Sequence, residues 1–150
     1  FLNVNESLTK SSEGFFMLNN FDYSTMQTGD IIVSACQELL EENETRCELW
    51  GYMLRIENNS NERIRLTSKD VCITDELGNS KCLSALGFNG ELPDLEPGEC
   101  FEFEDTAQLN GAAAVIYGYC KAVTTKGKEL KIKLPVINLS SSKNISTCFC

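Results

Sequence analysis

Apolar and polar residues alternate with a period of two along most of the chain after residue 30, which is typical of β-strands with one buried face. The run Glu48–Asn58 shows this clearly, since Tyr52, Leu54 and Ile56 fall on one face and Arg55 falls on the other. Comparable segments follow one another down the chain, separated by turn residues. This pattern predicts an all-β protein built as an antiparallel two-sheet sandwich of about seven or eight strands.

Three segments depart from the alternation. Residues 36–44 (CQELLEENE) form the best helical candidate, of one or two turns. Residues 1–27 are rich in Asn and Ser and predict an N-terminal arm or added strand that packs on the sandwich, with docking on a partner as the alternative. Residues 140–150 form a tail containing Ser and Cys. The apolar candidates for docking in the arm are Phe15, Phe16, Leu18, Phe21 and Tyr23.

The composition of the chain argues against several classes of function. The net charge of -9, from 22 acidic and 13 basic residues, has the wrong sign for binding nucleic acid, which depends on neutralising phosphates. No apolar run reaches the ~18 residues of a membrane span. The chain has no histidine, which excludes a Ser-His-Asp triad and every His-ligated metal site. We therefore expect neither an enzyme nor a cofactor nor a metal.

One local basic cluster stands out within this acidic chain. We expect it to be a solvated strand face, with a patch for an anion or an acidic partner as the alternative. It consists of Lys121, Lys126, Lys128, Lys131 and Lys133.

The chain has eight cysteines and five N-x-S/T sites, and both indicate in which cellular compartment the protein resides. The even number of cysteines without a CxxC favours disulfides over zinc, and eight reduced thiols packed as small apolar groups are the alternative. The glycosylation sites add to a prediction of a secreted glycoprotein, with a cytoplasmic or mitochondrial location as the alternative. Their acceptor residues are Asn5, Asn43, Asn58, Asn138 and Asn144.

Five motifs in sequence order resemble the ApaG domain over about residues 28–139. They are YMLRIEN at 52–58, RLTSKDVCITDELGN at 65–79, ALGFNGELPDLEPGECFEF at 85–103, IYGYCKA at 116–122 and IKLPVINL at 132–139. The resemblance implies an immunoglobulin/fibronectin type III-like sandwich. It also implies a non-enzymatic protein-interaction or structural module with a protein partner or homo-oligomer, since eukaryotic ApaG domains occur in F-box subunits and in a polymerase-interacting protein.

The glycine-rich loop of this family differs in the present chain. Ala85 replaces the first glycine of the family's GxGxxG, while Gly87 and Gly90 remain and Glu91 follows. A divalent cation or pyrophosphate bound by residues 85–99 is the alternative function. A phosphate loop uses free N–H groups at a helix N-terminus, whereas here prolines and acidic residues follow. We therefore expect turn chemistry and no small ligand.

Hairpin geometry pairs two of the cysteines. A turn centred on Leu77 places Cys72 opposite Cys82 on the outward face, close enough for a disulfide. Cys36 and Cys47 bracket the loop between two strands and are candidates for a second bridge.

The other cysteines are assigned with the help of the resemblance and of the alternation. Cys120 takes the place of an inward tyrosine of the family, which implies a core thiol. Cys100 shares the outward side of its strand with Glu102, and its candidate partners are Cys148 and Cys150 in the tail.

Overall fold

The computed structural model describes residues 23–42 and 47–140, and every structural statement below refers to them. No helix occurs within these two ranges; they contain ten strands. The strands are β1 (Ser24–Thr28), β2 (Ile31–Glu42), β3 (Glu48–Asn58), β4 (Ile64–Asp75), β5 (Ser80–Leu86), β6 (Asp94–Leu95), β7 (Cys100–Leu109), β8 (Ala113–Thr124), β9 (Glu129–Lys133) and β10 (Ile137–Ser140).

The strands form two antiparallel sheets packed face to face. Sheet A has the order β1-β2-β3-β7. Sheet B has the order β10-β8-β4-β5, with β6 added to β4 and β9 added to β8. The predicted all-β sandwich is confirmed, and β3 covers the same residues as the alternating run seen in the sequence.

The core lies between the sheets, as the alternation requires. Leu54 and Ile56 of sheet A are paired with Phe103 and Phe101, and all four side chains are buried. Sheet B contributes its own inward residues, among them Leu66, Ile116, Cys120, Ala122 and Ile132. Cys120 is fully buried here, as expected of a core thiol.

The helix predicted at 36–44 is wrong up to the last described residue of that segment, because the chain continues β2 to Glu42. A β-bulge explains the sequence pattern: the register shifts between Leu39, which pairs with Trp50, and Glu41, which pairs with Leu49. The extra residue, Leu40, interrupts the alternation. A run of residues that looked helical is therefore a bulged strand.

The cysteine predictions have a mixed outcome. Cys72 and Cys82 lie opposite each other on β4 and β5 and form a disulfide. The expected bridge between Cys36 and Cys47 is not formed. Cys36 pairs with Met53, six residues beyond Cys47 along the strand, and six residues of strand span about 20 Å, far more than a disulfide bridges.

One predicted glycosylation site is also wrong. Asn58 is fully buried, and its side-chain nitrogen donates to the carbonyl oxygens of Glu62 and Leu95, both at 2.9 Å. The nitrogen that would carry a glycan is thus inside the protein and already bonded. Asn138, by contrast, is exposed at the surface.

Several predicted residues lie outside the described ranges, so these predictions stay predictions. They are Phe15, Phe16, Leu18 and Phe21 of the arm, the glycosylation candidates Asn5, Asn43 and Asn144, and the tail cysteines Cys148 and Cys150.

Candidate functional site

The glycine-containing stretch 85–99 folds as a tight turn followed by an extended connection. Phe88 and Glu91 exchange backbone hydrogen bonds of 2.8 and 3.1 Å. Asn89 and Gly90 between them have φ of 55° and 86°, as a type I′ turn requires. The N–H of Gly87 donates to the carbonyl of Thr67 at 2.7 Å. Three donors that an anion would need are thus bonded within the chain, which favours the turn over a phosphate cradle.

The side chain of Phe88 explains why this turn is tight. Phe88 is fully buried, and its ring packs edge-on against Phe101 and Phe103, with centroids 5.4 and 5.3 Å apart. Gly87 has φ of +72°, and a Cβ there would collide with the carbonyl oxygen of Glu91. The turn therefore inserts an aromatic ring into the core.

Two acidic residues of the same stretch, Asp94 and Glu96, pair with arginines. Arg65 donates two hydrogen bonds to Asp94, of 2.9 and 3.0 Å, and this contact lowers the pKa of Asp94. Arg63 lies 3.6 Å from Glu96. In the described part of the chain no cluster of His, Cys, Asp and Glu could hold a metal ion.

A large concave feature is a cleft where the two sheets separate. Its volume is about 620 Å³ and it lies between β5, at the edge of sheet B, and β7, at the edge of sheet A. This volume is within the usual range of ligand pockets. We call it the inter-sheet cleft. Much of its apolar lining comes from Val71, Ile73, Leu83 and Leu109.

Three polar side chains meet at the inner end of the inter-sheet cleft. Lys69 of β4 lies 3.8 Å from Asp105 of β7, with its nitrogen 3.4 Å from the ring centroid of Phe103. Tyr52 of β3 stands opposite Asp105 of β7 in the sheet, and the two side chains are hydrogen-bonded. Burial lowers the pKa of Lys69, and Asp105 opposes this; burial, reinforced by Asp105, raises the pKa of Tyr52.

One wall of the inter-sheet cleft is an exposed edge strand. All seven residues of β5 are exposed, including Leu83 at 64% and Leu86 at 88%. Among the described strands β5 pairs only with β4, to which the Cys72–Cys82 disulfide ties it. One row of its backbone N–H and C=O groups thus faces away from the sheet.

The lysine cluster lies on the outward side of sheet B and at its β8–β9 turn. Lys121 of β8 stands directly opposite Lys131 of β9, and the Lys131 nitrogen lies 4.2 Å from the ring centroid of Tyr119. Lys126, Lys128 and Lys133 are exposed. The exposure of these three lysines matches the expected solvated strand face.

Sequence reasoning did not find the inter-sheet cleft. Lys69 and Asp105 are 36 residues apart in the sequence, so no local motif contains both. The alternation could have helped: Asp105 shares its side of β7 with the core residues Phe101 and Phe103, so an inward charge needing a partner was predictable.

Comparison with known proteins agrees with the fold. The family model for the ApaG domain matches residues 39–124. Protein ApaG of Beijerinckia indica is 32% identical over 122 residues, which are 79% of this chain and 93% of that protein. Protein ApaG of Methylocella silvestris is 29% identical over 117 residues, 76% of this chain and 90% of that protein.

A solved structure is similar as well. The crystal structure of the ApaA protein from Bordetella pertussis superposes with a TM-score of 0.71 at 22% identity, covering 76% of this chain and 95% of that one. No helix in the described ranges is long and apolar enough to cross a membrane. The resemblance seen in the sequence motifs is thereby confirmed, and the chain belongs to the ApaG domain family.

Proposed function

We propose that the chain is a non-enzymatic protein-interaction module that binds an extended segment of a partner protein along the β5 edge. The exposure of β5 carries this proposal. An edge strand with a free row of backbone groups is a template on which an incoming segment adds as a further strand, held by main-chain hydrogen bonds. Leu83 and Leu86, at 64% and 88% exposure, would supply apolar contacts to its side chains.

The inter-sheet cleft offers contacts to the side chains of such a segment. Side chains of a strand alternate between its two faces, so every second residue of the added strand would point toward the cleft beside Leu83. Val71, Ile73 and Leu109 line that space and favour an apolar side chain. The opposite residues of the segment would lie over the outward face near Leu86.

The disulfide supports the same role by holding the template in place. Cys82 lies next to the central residue of β5 and forms a disulfide with Cys72 of β4. An isolated edge strand with exposed side chains has little packing to keep it ordered. A covalent link to the neighbouring strand reduces the entropy lost when a partner binds.

The polar groups of the inter-sheet cleft favour binding over catalysis. Asp105 contacts both Lys69 and Tyr52, and its carboxylate opposes the lowering of the Lys69 pKa by burial. An activated lysine nucleophile needs a strongly lowered pKa without such a partner. We assign these groups a positioning role at the base of the cleft.

A peptide-display selection on the intact, oxidised chain tests the proposal. Enriched peptides are measured by fluorescence polarisation against the native chain, Leu83→Asp, and Val136→Asp as a matched control at an exposed apolar position away from β5. We expect Leu83→Asp to weaken binding at least tenfold and Val136→Asp to leave it unchanged. Equal binding by all three chains, or a selection that yields no binder, would overturn the proposal.

Self-association by the same edge is checked with the same variants. Light scattering after size exclusion gives the mass of the native chain and of Leu83→Asp. A native dimer that Leu83→Asp converts to a monomer would show that β5 pairs with a second copy of this chain rather than with a different protein.

A further inference from the structure

The hydrogen bonds between β4 and β5 determine which backbone groups of β5 are left for a partner. At one end of this strand pair the N–H of Asp75 donates to the carbonyl of Asn79 at 3.0 Å, and at the other end the N–H of Gly87 donates to the carbonyl of Thr67 at 2.7 Å. Both bonds continue the register of the β4–β5 ladder, which runs without a shift along its length. Asn79 and Gly87 are therefore hydrogen-bonded positions that flank β5.

Hydrogen-bonded and non-hydrogen-bonded positions alternate along an antiparallel pair. The odd-numbered residues of β5, counted from Asn79 to Gly87, therefore bond to β4. The N–H and C=O groups of the even-numbered residues point away from β4; these residues are Ser80, Cys82, Ser84 and Leu86. The Cα atoms of Cys72 and Cys82 lie 4.0 Å apart, which agrees with a non-hydrogen-bonded pair, at about 4.5 Å, better than with a bonded one, at about 5.5 Å.

The two sets of β5 residues also differ in the direction of their side chains. Lys81, Leu83 and Ala85 line the inter-sheet cleft. Because side chains alternate along a strand, those of Cys82 and Ser84 point to the outward side of sheet B. The backbone groups at the open edge of β5 thus belong to the residues whose side chains point away from the cleft.

We propose that the partner segment adds antiparallel to β5, and that its bonded residues alternate with residues that point into the inter-sheet cleft. This inference rests on the peptide binding proposed above and specifies the partner. In an antiparallel arrangement Cys82 and Ser84 each exchange two main-chain hydrogen bonds with one opposed residue, a pairing slightly more stable per residue than a parallel one. The strand pairs of the described ranges are antiparallel as well.

This arrangement defines the sequence that the partner needs. Its residue opposite Leu83 faces the cleft at a non-hydrogen-bonded position, where Cα atoms are about 4.5 Å apart, so an apolar side chain there packs directly on Leu83. The N–H of that residue points away from β5, and proline is accepted at such a position. The two neighbouring residues, opposite Cys82 and Ser84, must each supply an N–H, which excludes proline.

Amide hydrogen exchange, measured by NMR on the intact, oxidised chain, tests the assignment of the backbone groups. After correction for intrinsic rates, we expect the amides of Leu83 and Ala85 to exchange at least tenfold more slowly than those of Cys82 and Ser84. Equal protection of both sets would overturn the inference. Addition of the tightest peptide from the display selection should protect Cys82 and Ser84 at least tenfold, and unchanged exchange at these two amides in the bound chain would also overturn it.

An N-methyl scan of the same peptide tests the partner's side, since each N-methyl group removes one N–H donor and keeps the side chain. The peptide residue that contacts Leu83 is identified first, as the one whose replacement by Ala no longer weakens binding to Leu83→Ala. We expect N-methylation of this residue to change the affinity less than twofold, and N-methylation of either neighbour to weaken binding at least tenfold. The reverse pattern would indicate a parallel strand and overturn the inference.

The outcomes separate this inference from the proposed function. Binding that is lost in Leu83→Asp but shows no alternation in the N-methyl scan overturns the antiparallel register alone and leaves β5 as the binding edge. A selection that yields no binder overturns the proposed function and this inference with it.

Discussion

Gly118 is the position where a single methyl group should damage the domain most clearly. It lies within β8, opposite Val71 of β4, in the central strand pair of sheet B. Its φ is +152°, and a Cβ at this position would collide with the backbone carbonyl oxygen of Asp70 and lie 3.1 Å from the Cα of Val71. Both obstacles are backbone atoms, so no side-chain movement relieves the contact.

The expected cost of Gly118→Ala follows from two terms. A backbone conformation reserved for glycine costs a substituted residue about 1–3 kcal/mol, and separating two packed strands costs about 1–3 kcal/mol more. We expect a loss of about 4 kcal/mol in the free energy of unfolding. For a chain of this size that lowers Tm by about 10 °C.

Urea unfolding followed by circular dichroism, with the disulfide intact, measures this loss. Gly127→Ala is the matched control, because Gly127 also has a positive φ, +83°, but a Cβ there meets nothing within 4 Å. The control should lose only about 1 kcal/mol. If the two variants unfold within 1 kcal/mol of each other, close approach of β4 and β8 is not what requires glycine at position 118.

Three further outcomes are expected. Replacing Cys72 and Cys82 with Ser should lower the free energy of urea unfolding by about 2–3 kcal/mol, the entropy of closing a ten-residue loop; an unchanged midpoint would contradict this. Burial raises the pKa of Glu102 from its ordinary 4.5 to about 7, so the free energy of unfolding should fall as pH rises from about 4.5 to 7 in the native chain but not in Glu102→Gln, measured by unfolding at several pH values. In a secreting eukaryotic host, peptide mass mapping should find Asn58 without glycan, and occupancy there would refute its buried position.

How much of this protein follows from the sequence differs between its elements. The bounds of β3 and the opposed pair Cys72 and Cys82 are local: period-two alternation sets the first, and the spacing from a central turn sets the second. Such features need only the geometry of one strand or one hairpin. Family motifs in a fixed order then identified the fold over most of the chain.

The errors came from contacts that local pattern does not contain. Residues 36–42 alternate imperfectly because Leu40 is an extra residue in a bulge, and only pairing with β3 shows that the segment is a strand. The sequence around Asn58 is a glycosylation sequon, which predicts a surface position. In the folded chain Asn58 is buried, and its side-chain nitrogen donates to the carbonyl groups of Glu62 and Leu95.

The sequence by itself determined most of the strands and which side of them is apolar, because alternation is a property of the extended backbone. The tertiary structure decided what lies against each side. It brought Lys69 to Asp105 across the two sheets and opened the inter-sheet cleft between β5 and β7. These features depend on residues far apart in the chain, whose meeting is fixed only when the sheets pack.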